Sequence, residues 1–236
     1  MKIFCLIPAF NEKGNLQHLI EGLFKIIPKY SPEYKIFFVI QGNDGSIGIL
    51  KKLKLKYKNL DWVYYPKALG IGRAYKIGFN KIDDNFTHVL TLDADLNHDP
   101  AVLPDFIKEM KKTKADLVIG SRFVRGGIFA DRRPWKRLIS SLMNRLMTKL
   151  TGISIHDISS GYRLMTREVI ENIRNELRET GYPNYMELII KTVRHGFKLS
   201  EVPIVYKSRV WGKSKMGKLK TLYDYLGFLP RILITS

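Results

Sequence analysis

Two aspartates one residue apart, Asp93 and Asp95, break an apolar run in the stretch VLTLDADLNHDP at residues 89–100. Side chains alternate along an extended strand, so both carboxylates point the same way, and small Ala94 lets a ligand approach between them. Two carboxylates that close repel unless a cation sits between them. A hard divalent ion, Mg²⁺ or Mn²⁺, takes oxygens from one or two carboxylates and completes its shell with nucleotide phosphates. The stretch therefore reads as a metal and diphosphate site at a strand end. The plainer alternative is a loop of capping acids. Asp99-Pro100 is a common helix opening, yet it leaves the two earlier aspartates unexplained.

Such a site needs strands to hold it. Apolar runs at 3–8, 36–40, 62–65, 89–92 and 117–119 read as buried strands, with helical spacing between them. Leu16, Leu19, Ile20, Leu23, Phe24 and Ile27 form one helix stripe, and Ala74, Ile77, Gly78 and Phe79 a shorter one. The pattern predicts an α/β fold, Rossmann-like, with a mostly parallel central sheet and helices on both faces. Ligands of such sheets bind beyond the carboxyl ends of the strands. Every polar cluster falls there: Pro8 to Glu12, Gln41 to Ser46, Leu69 to Gly72, Asp93 to Asn97, and Gly120-Ser121-Arg122.

The second half is less regular. Helices are predicted over 136–150 and 185–193, and a strand over 199–206 whose Pro203 suits an edge. With no Ser-rich or Pro-rich linker and no repeat, one domain over 1–236 with a C-terminal elaboration is expected. The stretch 218–236 mixes Lys, Tyr, Leu and Ile; it reads either as an interfacial amphipathic helix or as an ordinary helix packed on the core.

Composition narrows the partners. Cys5 is the single cysteine, which excludes an intramolecular disulfide and points to a reducing compartment. The N-terminus opens on a strand-like run without signal-peptide features, so no export is expected. No apolar run approaches the length of a membrane span. A formal charge of +18 calls for an anionic partner: nucleic acid, acidic lipid or phosphorylated substrate. Lysines at 51–58 and 108–114 read as solvated helix faces. Arg122, Arg125, Arg132, Arg133, Lys136, Arg137, Arg209, Lys213, Lys215, Lys218 and Lys220 instead lie in Gly-bearing or aromatic-bearing segments, where charge more often does chemistry. Two other functions compete. A metal-dependent nucleotidyltransferase would show a basic Gly-rich signature near the N-terminus, which residues 8–12 lack. A basic nucleic-acid or lipid-binding module leaves Asp93 and Asp95 unexplained, so no nucleic-acid partner is expected.

One resemblance takes in most of these residues. Ile7-Pro8-Ala9-Phe10-Asn11-Glu12, Leu69-Gly70-x-Gly72, Asp93-Ala94-Asp95-Leu96-x-His98-x-Pro100, Ile119-Gly120-Ser121-Arg122, Gly126-Gly127, Ser160-Gly161-Tyr162-Arg163, Glu201-Val202-Pro203-Ile204 and Arg209-x-x-Gly212-x-Ser214-Lys215 follow in that order. Together they resemble the dolichyl-phosphate mannose synthases and related polyprenyl-phosphate glycosyltransferases of inverting family 2. Each motif alone is weak, but their collinear order across most of the chain is specific.

The resemblance implies a glycosyltransferase A fold, a nucleotide-sugar donor, Mg²⁺ or Mn²⁺, and a polyprenyl phosphate acceptor. It divides the domain into a nucleotide-sugar half at 1–125, an acceptor half at 126–217 and an interface helix at 218–236. Pro8, Ala9, Phe10 and Glu12 would line the nucleoside pocket, with Phe10 in the place of a Tyr. Asp93 and Ala94 would lie by the ribose and diphosphate. Asp95 would hold the ion, with Asp93 and Asn97 helping; Asn97 replaces a usual Gln. Arg122, Lys136, Ser140, Arg209 and Lys215 match positions expected to hold the diphosphate or the acceptor phosphate, with Asp95, Arg122, Arg209 and Lys215 the catalytic set. Lys136 stands for a usual Arg, so a bidentate fork becomes a point charge.

The chain departs from the pattern after the second strand, where two successive Asp residues are usual. Spacing from the strand places Gln41 on the base-reading position, whereas matching Asp-Gly-Ser places Asp44 there. A carboxylate only accepts from a base, while an amide also donates, so the choice of base stays open. The resemblance favours guanine with mannose, a GDP-mannose donor, with UDP-glucose as the alternative. The domain would act at the cytoplasmic face of a membrane, bound peripherally or through an anchoring partner.

A sugar hydroxyl acceptor needs a general base, but a phosphate monoester, with its second pKa near about 6, is mostly dianionic at neutral pH and attacks unaided. The site must then bring two repelling anions into line across an anomeric carbon, which is work for cations. Asp157, ahead of Ser160-Gly161, is the remaining candidate carboxylate near the sugar; anchoring the Ser-Gly turn is its competing role. Gly126-Gly127 and the Arg-rich stretch to Pro134 read as a mobile acceptor loop.

Overall fold

The computed structural model describes residues 1–131, 134–207, 223–228 and 230–231, the side chain of Lys136 excepted. Arg209 and Lys215 lie outside the described residues, as do Arg132, Arg133, Lys213, Lys218 and Lys220. Five strands fall where the apolar runs predict them: β1 (Ile3–Phe10), β2 (Tyr34–Gln41), β3 (Leu60–Tyr65), β4 (His88–Thr91) and β5 (Leu117–Ser121). Between them run α1 (Lys13–Ile26), α2 (Ser46–Lys56), α3 (Ile71–Phe79) and α4 (Leu103–Thr113). β6 (Ile128–Ala130), α5 (Pro134–Thr151), β7 (Arg163–Thr166), α6 (Arg167–Ile173), α7 (Asn184–Arg194), β8 (Leu199–Pro203) and β9 (Val205–Lys207) complete the labelled elements.

The main sheet has seven strands in the order β3-β2-β1-β4-β7-β5-β8. All neighbours are parallel except at β7, which runs antiparallel to both β4 and β5. β7 was not foreseen: four residues beginning with an arginine carry too little apolar alternation to read as a buried strand. β8 ends the sheet, so Pro203 does sit on an edge strand, where a missing N–H costs no ladder bond. The single strand expected over 199–206 is divided at Ile204. Its N–H donates to Ser121 O at 3.0 Å while its carbonyl accepts from Ile128 N at 2.9 Å, handing the chain from the main sheet to a second, two-stranded one of β6 and β9.

Both faces of the main sheet are buried, which is why β1 is apolar at every position and β2 from Ile36 to Ile40. Ile3, Cys5 and Ile7 pack with Leu16, Leu23, Leu50 and Phe106 of α1, α2 and α4. Phe4 and Leu6 pack on the other side with Ala74, Phe79, Met143, Val169 and Met186 of α3, α5, α6 and α7. Each fully buried Ile, Leu, Val, Phe or Met among them contributes about 1.5–3 kcal/mol relative to exposure. Residues 223–228 are helical; Tyr225 and Phe228 join the second layer, while Tyr223 and Leu226 stay exposed. Among the described residues no helix is long and apolar enough to cross a membrane.

Candidate active site

The carboxyl ends of β1, β2 and β4 open on one cleft of about 340 Å³. Pro8, Ala9, Phe10 and Glu12 line it from β1, Gln41 from β2, and Asp93, Ala94 and Asp95 from the turn after β4. Leu69, Gly70 and Ile71 close one side, and Thr180, Gly181, Tyr182, Tyr185 and Asp224 the other. Residues from both halves of the chain thus share the cleft.

Each carboxylate is held by its own partner. Asp93 Oδ1 accepts from the Tyr185 hydroxyl at 2.9 Å, and the Asp93 N–H donates to His98 Nδ1 at 3.1 Å. A ring nitrogen that accepts carries no proton, and burial lowers the pKa of His98 although Asp93 and Asp95 oppose that. His98 is therefore neutral, and its 3.8 Å approach to Asp93 Oδ2 is a polar contact rather than an ion pair. Asp95 is buried and accepts at Oδ1 from Asn97 N at 3.2 Å and at Oδ2 from Asn97 Nδ2 at 2.9 Å. Leu96, at φ 62°, takes a left-handed conformation that non-glycine residues rarely adopt. That turn folds Asn97 back on Asp95, a small local strain spent on positioning a carboxylate.

The donor set fits a divalent ion. Two carboxylates line one cleft, and a carboxylate keeps lone pairs after accepting two hydrogen bonds. Among the described residues no group of three or more His, Cys, Asp or Glu converges, so the remaining ligands would come from substrate phosphates and water, the usual arrangement for Mg²⁺. Asn97 does not line the cleft; its amide N–H₂ is turned to Asp95, and the residue is placed to orient that carboxylate.

Beyond the aspartates the cleft continues into a smaller pocket of about 90 Å³. Asp93, Asp95, Arg122, Ser140, Ser159 and Ser160 line it, with an aromatic wall of Phe129, Tyr182, Tyr185, Tyr206 and Tyr225. Arg122 is set by Asp157. That carboxylate, fully buried, accepts from Arg122 Nε at 2.7 Å, from its Nη2 at 2.8 Å and from its backbone N at 2.9 Å. Ser159 Oγ and Asn144 Nδ2 also donate to Asp157. Burial by itself would raise the Asp157 pKa and lower that of Arg122; the attraction and hydrogen bonds between them outweigh it, so both stay charged. Phe129 lies over the guanidinium, 4.4 Å from ring centre to Cζ. The stretch after Gly126-Gly127 forms β6, whose pairing with β9 accompanies the placing of Phe129 on Arg122.

The two candidates after β2 are placed differently. Gln41 lines the cleft and its Oε1 accepts from Leu69 N at 2.7 Å. Asp44 does not line it: Oδ2 accepts from Lys13 N at 2.8 Å, and Oδ1 from Ser46 N and Oγ at 3.0 and 2.6 Å. It caps the start of α2 and ties it to α1. Of the expected phosphate-binding group, Arg122 and Ser140 meet in the inner pocket. Lys136 lies on α5 with its side chain outside the described set.

Sequence reasoning missed Tyr185, Tyr182 and Thr180. Tyr185 belongs to an apolar helix stripe and carries no local signal of its own. Its setting shows in the glycine of Ser160-Gly161: a Cβ there would stand 2.7 Å from the Tyr185 ring. Arg163 of the same motif is buried and donates to the carbonyls of Ile158 and Tyr185. Burial pulls its pKa down to about 10, which leaves it charged at neutral pH. Gly72 likewise serves packing: its N–H donates to Thr180 O at 3.0 Å, and a Cβ would overlap the Glu179 carbonyl.

A family model described as glycosyl transferase family 2 matches residues 4–174. The polyprenol monophosphomannose synthase of Mycolicibacterium smegmatis is 34% identical over 90% of this chain and 80% of its own length. The dolichol-phosphate mannosyltransferase of Pyrococcus furiosus is 30% identical over 99% of this chain, which spans 64% of that protein. Among solved structures, glucosyl-3-phosphoglycerate synthase from Mycobacterium tuberculosis with Mn²⁺, UDP-glucose and phosphoglyceric acid superposes with a TM-score of 0.72. The two are 16% identical, and the match covers 98% of this chain and 79% of that one. Its likeness is one of fold, the glycosyltransferase A arrangement with a mostly parallel sheet. Sequence and architecture agree, and this chain belongs to glycosyltransferase family 2.

Proposed function

We propose that the domain transfers a hexose, mannose in the first instance, with inversion from a nucleoside diphosphate sugar to a polyprenyl phosphate. The observation that carries this reading is the juxtaposition of Asp93 and Asp95 with the Arg122 pocket in one continuous cleft. The two curated relatives, a polyprenol monophosphomannose synthase and a dolichol-phosphate mannosyltransferase, support the sugar and acceptor class.

Asp93 and Asp95 would hold Mg²⁺ or Mn²⁺, which when bound neutralises charge on the leaving diphosphate. Pro8, Ala9 and Phe10 give the nucleoside an apolar surface. Arg122, its charge fixed by Asp157, attracts the incoming phosphate, and Ser140 adds a hydroxyl beside it. Lys136, Arg209 and Lys215 complete the expected cationic set. Among the described residues the carboxylates on the inner pocket are Asp93 and Asp95, and Asp157 behind them is committed to Arg122. That favours an acceptor already carrying negative charge over a hydroxyl that needs a base.

The acceptor places the domain at the cytoplasmic face of a membrane, held peripherally by the basic surface and residues 218–236. Release of nucleoside diphosphate from GDP-mannose and UDP-glucose, with Mn²⁺ and either polyprenyl phosphate or polyprenol, tests the reading. Turnover is expected with the phosphate alone and is lost in Asp95→Asn. Turnover with polyprenol but not its phosphate refutes it.

A further inference from the structure

Glu201 is a buried carboxylate on an edge strand. Side chains alternate along β8: Val202 packs in the layer of α1, α2 and α4, so Glu201 faces the other layer with Leu199. Its side chain is 8% exposed, and among the described residues no Lys or Arg pairs with it. Both oxygens instead engage two successive residues ahead of the Ser160-Gly161 turn. Oε2 accepts from His156 N at 2.9 Å and from His156 Nδ1 at 2.8 Å, and Oε1 accepts from Asp157 N at 3.0 Å. A carboxylate takes both backbone donors because it has two acceptor oxygens and no donor of its own.

The residue pinned in this way governs the inner pocket. The Asp157 side chain holds Arg122 through its Nε, Nη2 and backbone N, and it accepts from Asn144 Nδ2 at 3.3 Å. Asn144 follows Ser140 by one turn of α5, so the two share a helix face. The guanidinium and the hydroxyl expected to meet the acceptor phosphate are thus both referred to Asp157, one directly and one through Asn144. The backbone of Asp157 is in turn referred to β8. The same length of chain comes back to Arg122 at Tyr206, whose ring centre lies 5.3 Å from Cζ.

We infer that Glu201 is a positioning residue for the acceptor phosphate: by fixing the backbone at 156–157 it sets where Arg122 and Ser140 stand. Glu201 lines neither the cleft nor the inner pocket, so it reaches substrate only through Asp157. The inference rests on reading the inner pocket as the acceptor-phosphate site and adds the group that ties that pocket to the sheet. A plain loop anchor would change stability alone. A positioning group also changes how the acceptor binds and spares the donor, because no residue from 156 to 160 lines the donor cleft.

Glu201→Gln tests this on the whole chain. The amide keeps one acceptor oxygen and turns an N–H₂ toward the other backbone N–H, so one of the two bonds is lost at constant size. With Mn²⁺, polyprenyl phosphate and whichever of GDP-mannose or UDP-glucose the parent turns over, KM for the acceptor is expected to rise about threefold to tenfold while KM for the donor stays unchanged. In an Asp157→Asn background the same substitution should add nothing further to the acceptor KM. Hydrogen exchange at the Arg122 Nε–H, followed by NMR and assigned by its loss in Arg122→Lys, should be faster in Glu201→Gln than in the parent; this arm needs neither turnover nor the double variant. An equal rise in both KM values, an additive effect in the Asp157→Asn background, or an unchanged Arg122 signal overturns the inference and leaves the acceptor reading standing. Turnover of polyprenol but not its phosphate by the parent overturns the acceptor reading, and the inference falls with it.

Discussion

The hydroxyl of Tyr185 on α7 donates to Asp93 Oδ1 at 2.9 Å, joining the second half of the chain to the turn after β4. The bond takes up one carboxylate oxygen while the other lies 3.8 Å from His98 Nδ1, so the Asp93 side chain is braced from two sides. Tyr185→Phe removes the donor and keeps the ring against Gly161 and Arg163. A hydrogen bond to a charged group is worth about 1.5–3 kcal/mol, so kcat/KM is expected to fall about tenfold to a hundredfold while Tm moves little. Steady-state kinetics beside a thermal melt check it. An unchanged kcat/KM shows that Asp93 needs no such brace.

Asp157 and Arg122 form a buried ion pair, and breaking one partner is costly because the other stays charged without water. Asp157→Asn is expected to destabilise the fold by about 3–5 kcal/mol. The same substitution loosens the guanidinium that faces the inner pocket, so KM for the acceptor phosphate should rise. Denaturant unfolding and acceptor titration measure the two effects. A variant as stable as the parent contradicts the assignment of Asp157 as the group that holds Arg122.

How much of this could be read beforehand depended on whether the signal was local. β1, β2, β4 and β5 are apolar runs, and the paired aspartates at a strand end are visible in three consecutive residues. β7 escaped because its burial comes from neighbours far away: Leu164 and Met165 sit between β4 and β5 only after the chain has returned from α5. Asp157 does anchor the turn through Ser159, but its charged partner Arg122 lies 35 residues earlier, beyond the reach of any local signal. Leu69-Gly70-x-Gly72 looked like a ligand loop on composition; Gly72 instead makes room for backbone, which no spacing rule encodes. Tyr185 was invisible because a tyrosine on a helix stripe looks like any core residue.

Gly72→Ala tests that packing. The added methyl group would overlap the Glu179 carbonyl, a backbone atom that can move only with its segment, and Glu187 holds that segment by accepting from the N–H groups of Arg178 and Glu179. Overpacking costs about 1–3 kcal/mol. Because Thr180, Gly181 and Tyr182 line the cleft, nucleotide affinity should weaken along with Tm. A drop in Tm with unchanged affinity would show that the 179–182 segment is structural only.

Acid should weaken the fold well above the range where carboxylates titrate. Burial, assisted by the nearby N-terminal charge, lowers the pKa of half-buried His88 at the start of β4 from 6.5 to about 4. Between those values the unfolded chain binds a proton that the folded chain excludes, so stability present above about pH 6.5 is lost as pH falls toward 4. With allowance for solvent screening at a half-buried site, the loss is on the order of 1 kcal/mol. Burial lowers His98 in the same direction, so His88→Gln should reduce the slope rather than abolish it. The depressed carboxyls of Asp157 and Asp44 are above their unfolded pKa throughout this window; their contribution disappears only as pH drops below about 4. Unfolding free energies of parent and variant from about pH 7 to about 4.5 separate the two regimes. Parallel curves for the two proteins would remove His88 from the account.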